Sequence, residues 1–567
     1  MKPSFSDINE KLFSSCEISS IGRVGTMSLL HGRIAKALNF IGRAFAYTQT
    51  RAYGCFLLSF GLLTMLMNIA EVYFTETGDV ALSTLIICAS LMLIAIPLLL
   101  FERPMCIAMQ DFPLTDKLFF EFLSIKRMRR SVTHVGIHPV AAFVFGIIPS
   151  GLAHFFSIES VIVVLVMLIV VNVAFTTPEF SMLLSILFFP YVMYFESSGT
   201  IVALISVVTL LSFVIKVIVG KRVFHFSIYD VFFFLLTVSV LTFGLLSGAQ
   251  TSEMLVTAAI LFGYFPISNL IVNRRLAECA EKSVIVSAVP MVVVSMIEII
   301  AEGDLSPEAL FDSSETLVAF MLVSAAATFA YTFGKARGGE NAFCFVLFVL
   351  EFAVISISMR PEAILAILIS AVSYLVLRSR QVPSDFLLLL LVLPYALFFL
   401  PGAWLDAVSD LFRLEAPLSE TVGSYRDLLI EFFDNVWVGG SGIGVVSGTN
   451  TLLGLGFGFG IFSVLLFGLL VLIRLRHVSY FRTYMRNSPL GATGDMATLS
   501  IVALLSYGAF YNLFSDRVVL SLLVAVFAVS AAALRTAKKE YDDRMGYYED
   551  SGSSESSAID VGVNHYY

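Results

Sequence analysis

The sequence predicts an all-α fold, a polytopic bundle of about sixteen membrane-spanning helices with both termini cytoplasmic. Three observations carry that expectation. Of 567 residues, 58% are hydrophobic and 14% charged, and mean hydropathy is +0.90. A soluble domain could not cover so much apolar surface with so few charges. Apolar runs of about 18–25 residues recur from Tyr53 to Leu534, each long enough to cross a hydrocarbon layer of about 30 Å. Lys and Arg gather in alternate loops, the asymmetry that orients a multi-pass protein.

In chain order, residues 1–51 form a polar N-terminal segment. No apolar core of about 7–15 residues precedes a small-residue cleavage site, so the segment does not read as a secretory signal. Arg23, Arg33, Lys36 and Arg43 interleave with Leu, Ile and Phe, which predicts a basic amphipathic helix on the membrane surface. The bundle occupies 52–535. Its first eight spans fall near 53–74, 80–101, 138–155, 158–176, 179–195, 199–219, 229–249 and 253–272. The rest fall near 283–301, 315–334, 341–358, 361–378, 384–401, 450–473, 497–513 and 518–534. An even count puts both ends on one side, and charge tests it. Inward loops carry Lys126-Arg127-Met128-Arg129-Arg130, Lys221-Arg222, Arg274-Arg275 and Arg378-Ser379-Arg380, whereas the outward stretches TETGD and AEGDLSPEALFDSSE are acidic. The net charge of −8 says little until the two faces are counted apart. The expected location is the cytoplasmic (inner) membrane. Residues 536–567 form a polar, serine-rich tail, read as a cytoplasmic helix extension and then a disordered stretch. Its alternative role is to bind a protein partner.

Of 35 Lys and Arg, four fall outside: Arg360, Arg413, Arg426 and Arg517. None is lysine. Each by itself reads as interfacial snorkelling or as pairing with a local acid, such as Asp516 beside Arg517. Together they point to an anion site, because the planar guanidinium binds phosphate oxygens in pairs and stays charged at any working pH. Two acids sit at membrane depth, Glu351 in mid-span and Glu298 near an outer end, and such groups are functional candidates. The six cysteines are scattered without metal spacing and read as small buried hydrophobes. No metal, cofactor or nucleic acid is expected.

The longest outward loop, 402–449, contains DNVWVGGSGIG. Ser424-Tyr425-Arg426-Asp427 fits a helix start in which a hydroxyl caps free N–H groups and an acid favours the positive end of the dipole. The helix that follows should bury Leu428, Leu429, Phe432 and Phe433 and turn Arg426, Glu431 and Asp434 elsewhere. Gly440, Gly442 and Gly444 then permit positive φ and close approach of a ligand to backbone N–H groups. The stretch is not a P-loop, since no Gly-Lys-Ser/Thr follows.

Several motifs occur in one order: Ser358 and Arg360 in SMRPEAILAI, an arginine-led amphipathic helix in a large loop, GGSGIG, and Asn450 opening GTNTLLGLGFGFGIFSVLLFGLLVL. Over roughly residues 340–535 the chain resembles the O-antigen ligase and O-antigen polymerase superfamily. The resemblance implies glycan transfer from an undecaprenyl-pyrophosphate-linked donor to a glycan or lipid acceptor, outside the cytoplasmic membrane. It assigns Arg360 and Arg426 to the lipid-linked pyrophosphate, Gly440, Gly442 and Gly444 to the glycine-rich turn, and Asn450 to a His-Asn step. Here that step reads Thr449-Asn450, and the loop is shorter than in many members. Arg413 and Arg517 are added as substrate-binding candidates. Growing negative charge on the leaving phosphate calls for preorganised cations and requires no metal. Glu431, Asp434 and Asp427 are alternative bases for the acceptor hydroxyl. Two other classes remain open: a flippase or transporter of an anionic or lipid-linked substrate, and a non-catalytic scaffold.

Overall fold

In a computed structural model the described residues are 16–18, 40, 44, 45, 47–75, 82–117, 136–176, 178–188, 191, 198–218, 222–246, 251–303, 307–309, 311, 313–334, 338–358, 360–379, 386–396, 399–406, 418–433, 440, 450–487 and 490–553. They are almost entirely helical. Among them nine helices are long and apolar enough to cross a membrane, and five further apolar helices are shorter. The chain is therefore membrane-embedded. The predicted surface helix carrying Arg23, Arg33, Lys36 and Arg43 lies outside the described residues, as does the tail beyond Ser553. Contacts divide the rest into two compact units, 16–226 and 227 onward.

In the first unit, strands β1 (Cys16–Ile18) and β2 (Phe224–Phe226) form a two-stranded antiparallel pair with Glu17 opposite His225. Helices α1 (Thr50–Thr75), α2 (Leu82–Leu100), α3 (Met105–Asp111), α4 (Pro139–Phe155), α5 (Ile158–Thr176), α6 (Pro178–Phe188) and α7 (Ser198–Ile218) make up most of the remainder, with a single turn at Pro113–Thr115. Without water to drive apolar faces together, membrane helices associate through close packing at small residues and through polar contacts. Gly146 on α4 shows why: a Cβ there would lie 2.7 Å from Phe56 O on α1. One turn on, Ser150 Oγ donates to Phe60 O at 3.2 Å. Large apolar side chains such as Leu93, Leu100, Val140 and Phe155 are left exposed for lipid.

The second unit carries α8 (Ile228–Leu246), α9 (Thr251–Phe262), α10 (Tyr264–Leu270), α11 (Arg274–Ile297), α12 (Ser314–Gly334), α13 (Gly338–Ile357), α14 (Pro361–Arg378) and α15 (Phe386–Ala396). After these come α16 (Leu418–Glu431), α17 (Thr451–Asn487), α18 (Gly491–Tyr507) and α19 (Arg517–Ser553). Helices α12 and α18 are buried almost all round, as expected of helices that are apolar on every face and enclosed by neighbours. They pack on each other, with α14 against α18 and α11 and α13 against α12. Helix α17 packs on α8, where the hydroxyls of Ser239 and Ser463 meet at 2.7 Å. The final span and the polar extension form one helix, α19, in which no charged residue occurs between Arg517 and Arg535.

The amphipathic helix of the long loop is present as α16, but it begins at Leu418, so Ser424 is inside it rather than at its cap. Its buried face is also rotated from the sequence expectation. Val422, Tyr425 and Phe432 are buried, Leu428 is half-buried, and Leu429 and Phe433 are exposed. Phe432 packs against Leu453 and Phe457 of α17. The extra turn adds Val422 to the apolar stripe, and its spacing with Tyr425 to Phe432 sets which side faces the bundle.

Candidate functional site

Two helix starts build the site. Helix α12 opens with Ser314-Glu315-Thr316, and α14 opens with Pro361-Glu362 behind Arg360. Acids in a first turn suit the positive end of the helix dipole, and Pro at the first position holds Arg360 extended, at φ −88° and ψ 108°. The Arg360 guanidinium then bridges the two starts. Its Nη1 lies 2.9 Å from Glu315 Oε1 and 3.7 Å from Glu362 Oε1, and its Nη2 donates to Ser314 Oγ at 2.7 Å. A quarter of the side chain remains exposed.

The turn between α18 and α19, residues 508–516, connects this pair to the other helices of the same end. Tyr425 of α16 donates its hydroxyl to Phe510 O at 3.0 Å. Thr451, the first residue of α17, donates its hydroxyl to Tyr511 O at 2.8 Å and accepts from Leu513 N at 3.2 Å. Asp516 caps α19 by accepting from Val518 N at 2.7 Å. Its other oxygen accepts from Thr316 Oγ1 and, at 3.4 Å, from the Tyr511 hydroxyl. Tyr507 reaches Glu315 O at 3.5 Å, and its ring lies 5.4 Å from that of Tyr511. Burial, and then the Glu362 carboxylate, pushes the Tyr425 phenol up to about 12. Burial, and then Asp516, likewise raises Tyr511. Both phenols therefore stay protonated and act as donors.

The sequence candidates separate on this frame. Arg360 is at its centre. Arg517 pairs with Glu253 at 3.7 Å rather than with its neighbour Asp516, which is committed to the cap and to Thr316. Arg426 is exposed on α16 and donates to Leu400 O at 2.6 Å. Its anchoring contact is thus different from those of Arg360, while the adjacent Tyr425 bonds the turn at Phe510 O. Asn450 is buried, and its Oδ1 accepts from Leu453 N at 2.9 Å, a helix cap for α17. Asp427 and Glu431 are exposed on α16. Arg413, Asp434, Gly442 and Gly444 lie outside the described residues.

Gly440 does take positive φ, +73°, but its surroundings are helix rather than open space. A Cβ there would lie 2.7 Å from both Gly458 O and Phe459 N. This is where α17 is interrupted, since Gly460 has φ 77° and ψ 170°. Gly440 thus meets two demands that only glycine satisfies, a left-handed backbone and contact with another backbone.

Glu298 accepts from Glu308 N at 3.1 Å and Ala309 N at 2.9 Å, a loop tie. Glu351 is fully buried and accepts from Thr328 Oγ1 at 2.6 Å. That partner belongs to the middle of α12, not to the neighbourhood of Arg360. Among the described residues, Cys88, Cys106, Cys279 and Cys344 are buried and Cys55 half-buried, and no group of three metal-ligating side chains occurs.

Sequence reasoning missed Glu315, Glu362, Tyr507 and Tyr511, and it gave Asp516 to Arg517 rather than to Thr316. The signal was present in part. Glu315 and Glu362 open helices at the same end of the bundle as Arg360, and the outward loops are acidic. The cluster can hold a cationic group or a sugar hydroxyl as it stands. It can hold an anion only by exchanging a carboxylate on Arg360, because Glu315, Glu362, Asp516 and Glu253 outnumber Arg360 and Arg517. No protein-family model matches the chain, and no curated protein matches it.

Proposed function

We propose that the protein transfers or polymerises a lipid-linked oligosaccharide at the outer face of the cytoplasmic membrane. The donor is an undecaprenyl-pyrophosphate glycan, and the acceptor is a hydroxyl of a glycan or lipid. The observation that carries the reading is the bridge of Arg360 across Glu315 and Glu362, bordered by Tyr507 and Tyr511 at converging helix ends. A pyrophosphate reaching Arg360 competes with Glu315 for the guanidinium. The displaced carboxylate is then a base next to the bound donor. The acceptor oxygen attacks the anomeric carbon as its proton passes to Glu315, and the C–O bond to phosphate breaks with its electrons leaving on undecaprenyl pyrophosphate. Arg426, exposed on α16, supplies a second cation for lipid phosphate.

The reading requires the Arg360 end to face outward, within a sixteen-span arrangement whose termini are cytoplasmic. Asp427→Cys is therefore expected to react with a membrane-impermeant thiol reagent on intact cells. Asp542→Cys, on the polar extension of α19, should react only after permeabilisation. The opposite pattern places Arg360 inside and removes the proposal.

Purified protein in vesicles, given a defined undecaprenyl-pyrophosphate oligosaccharide and an acceptor glycan, is expected to lengthen the acceptor and release undecaprenyl pyrophosphate. A second reading, transport of the lipid-linked glycan, is favoured by the break of α17 at Gly460, since interrupted helices are common at transporter sites. Movement of the intact donor across the vesicle without glycan transfer replaces the enzyme by the transporter.

A further inference from the structure

Glu351 is a carboxyl in the middle of α13, with no surface exposed. One oxygen accepts from Thr328 Oγ1 at 2.6 Å, and the other has no hydrogen-bond partner. Ser324, one turn away on α12, lies on the same face, with its hydroxyl donating to Met321 O at 3.3 Å. Among the described residues no salt bridge reaches Glu351. The packed helices show why. Stretches 283–297 of α11, 316–332 of α12, 363–377 of α14 and 496–507 of α18 contain no Lys, Arg, His, Asp or Glu.

Their ionisable groups stand nearer the helix ends. Glu315 opens α12, Glu281 and Lys282 lie two turns into α11, Glu362 and Arg378 bound α14, and Asp495 is in the first turns of α18. Tyrosines Tyr374 and Tyr507 are near the ends of α14 and α18, and Tyr331 lies one turn beyond Thr328 with Lys282 Nζ 5.9 Å from its ring centre. Glu315 is thirteen residues from Thr328, roughly 20 Å along the helix. An ionised carboxylate at this depth without a counter-charge is too costly to keep. The charge must be met by something the chain does not supply.

We propose that Glu351, with the hydroxyls of Thr328 and Ser324, is a monovalent-cation site at mid-depth in the bundle, filled by a proton or by Na+. The site is independent of the Arg360 reading. Its approach runs from the Arg378 end. Ser324, Thr328 and Thr332 recur every four residues on one face of α12, and Thr332 Oγ1 bonds Thr328 O at 2.7 Å. Toward Arg360 the same stripe is closed by buried Phe320.

The test uses full-length protein in nanodiscs and dicyclohexylcarbodiimide, an apolar reagent that adds to protonated carboxyls, with the adduct located by mass spectrometry. Labelling at Glu351 is expected to fall about tenfold per pH unit above its titration midpoint, as the protonated fraction does. It should vanish in Glu351→Gln, and its midpoint should shift in Thr328→Val. Protection by Na+ against choline at fixed pH identifies sodium as an occupant, whereas indifference to Na+ identifies the proton. Labelling that is constant with pH, or absent at Glu351 throughout, overturns the site and leaves a permanently neutral structural carboxyl.

Discussion

Arg474→Ala is expected to be among the most destabilising single substitutions in the second unit. Arg474 is almost completely buried in α17. Its Nε donates to Ser530 Oγ of α19 at 3.0 Å, its Nη1 lies 3.2 Å from His477 Nδ1, and the guanidinium stands 5.3 Å from the centre of the Tyr229 ring. The Asp230 carboxylate is close enough to interact with it electrostatically. Asp230 in turn accepts from the Tyr264 hydroxyl at 2.6 Å and from Ser227 N at 2.7 Å. One side chain therefore joins α17, α19 and α8, and through Asp230 also α10. Removing the guanidinium leaves buried Ser530 and half-buried His477 without this partner, and a buried polar group so stranded costs about 1–3 kcal/mol. The cost should appear as loss of monodisperse protein on heating in detergent. The double substitution Arg474→Met with Asp230→Asn removes both charges and is expected to recover part of that loss. If Arg474→Ala were as heat-resistant as the native chain, the network would not hold these helices together.

Arg360→Ala is expected to reduce glycan transfer by two orders of magnitude or more. A charge-assisted hydrogen bond contributes about 1.5–3 kcal/mol, and a bidentate contact to phosphate contributes more than one such bond. Each 1.36 kcal/mol is about a factor of ten in rate. Arg360→Lys keeps the charge but loses the planar fork that spans Glu315 and Ser314, so its activity should also fall strongly. The substitution has a structural side, because alanine leaves Glu315 and Glu362 without their shared cation. Pairing Arg360→Ala with Glu362→Gln separates the two effects, because the base Glu315 is kept while one unmatched carboxylate is removed. The double variant should regain part of the thermal stability of the native protein and stay inactive. Full activity in that variant would sink the role of Arg360 as a phosphate ligand.

What could be read from the sequence, and what could not, divides along a physical line. Apolar runs, the helix in the long loop and the end of the bundle where Arg360 lies follow from composition and periodicity, which are local properties. The basic loops carry the expectation of orientation. Even within one helix the reading was incomplete. The stripe of α16 was started one and a half turns late, so Leu429 and Phe433 were assigned to a face that belongs to Val422, Tyr425 and Phe432. Contacts between helices were out of reach. The 2.9 Å approach of Arg360 to Glu315 joins residues on different helices, and so does the bond from Thr328 to Glu351.

Nothing in the spacing of either partner shows the other. Bilayer length and polarity decide that a segment is a helix and how deep each residue sits. They leave its rotation about its own axis and its choice of neighbours free. Those are set by packing at small residues such as Gly146 and by polar groups that must find partners away from water. The sequence by itself thus determined a membrane-embedded helical chain with arginine and acids at common helix ends. Only the tertiary structure decided that Glu315 and Glu362 hold Arg360, that Gly440 lies against the interrupted α17, and that Glu351 is left with one oxygen unmatched.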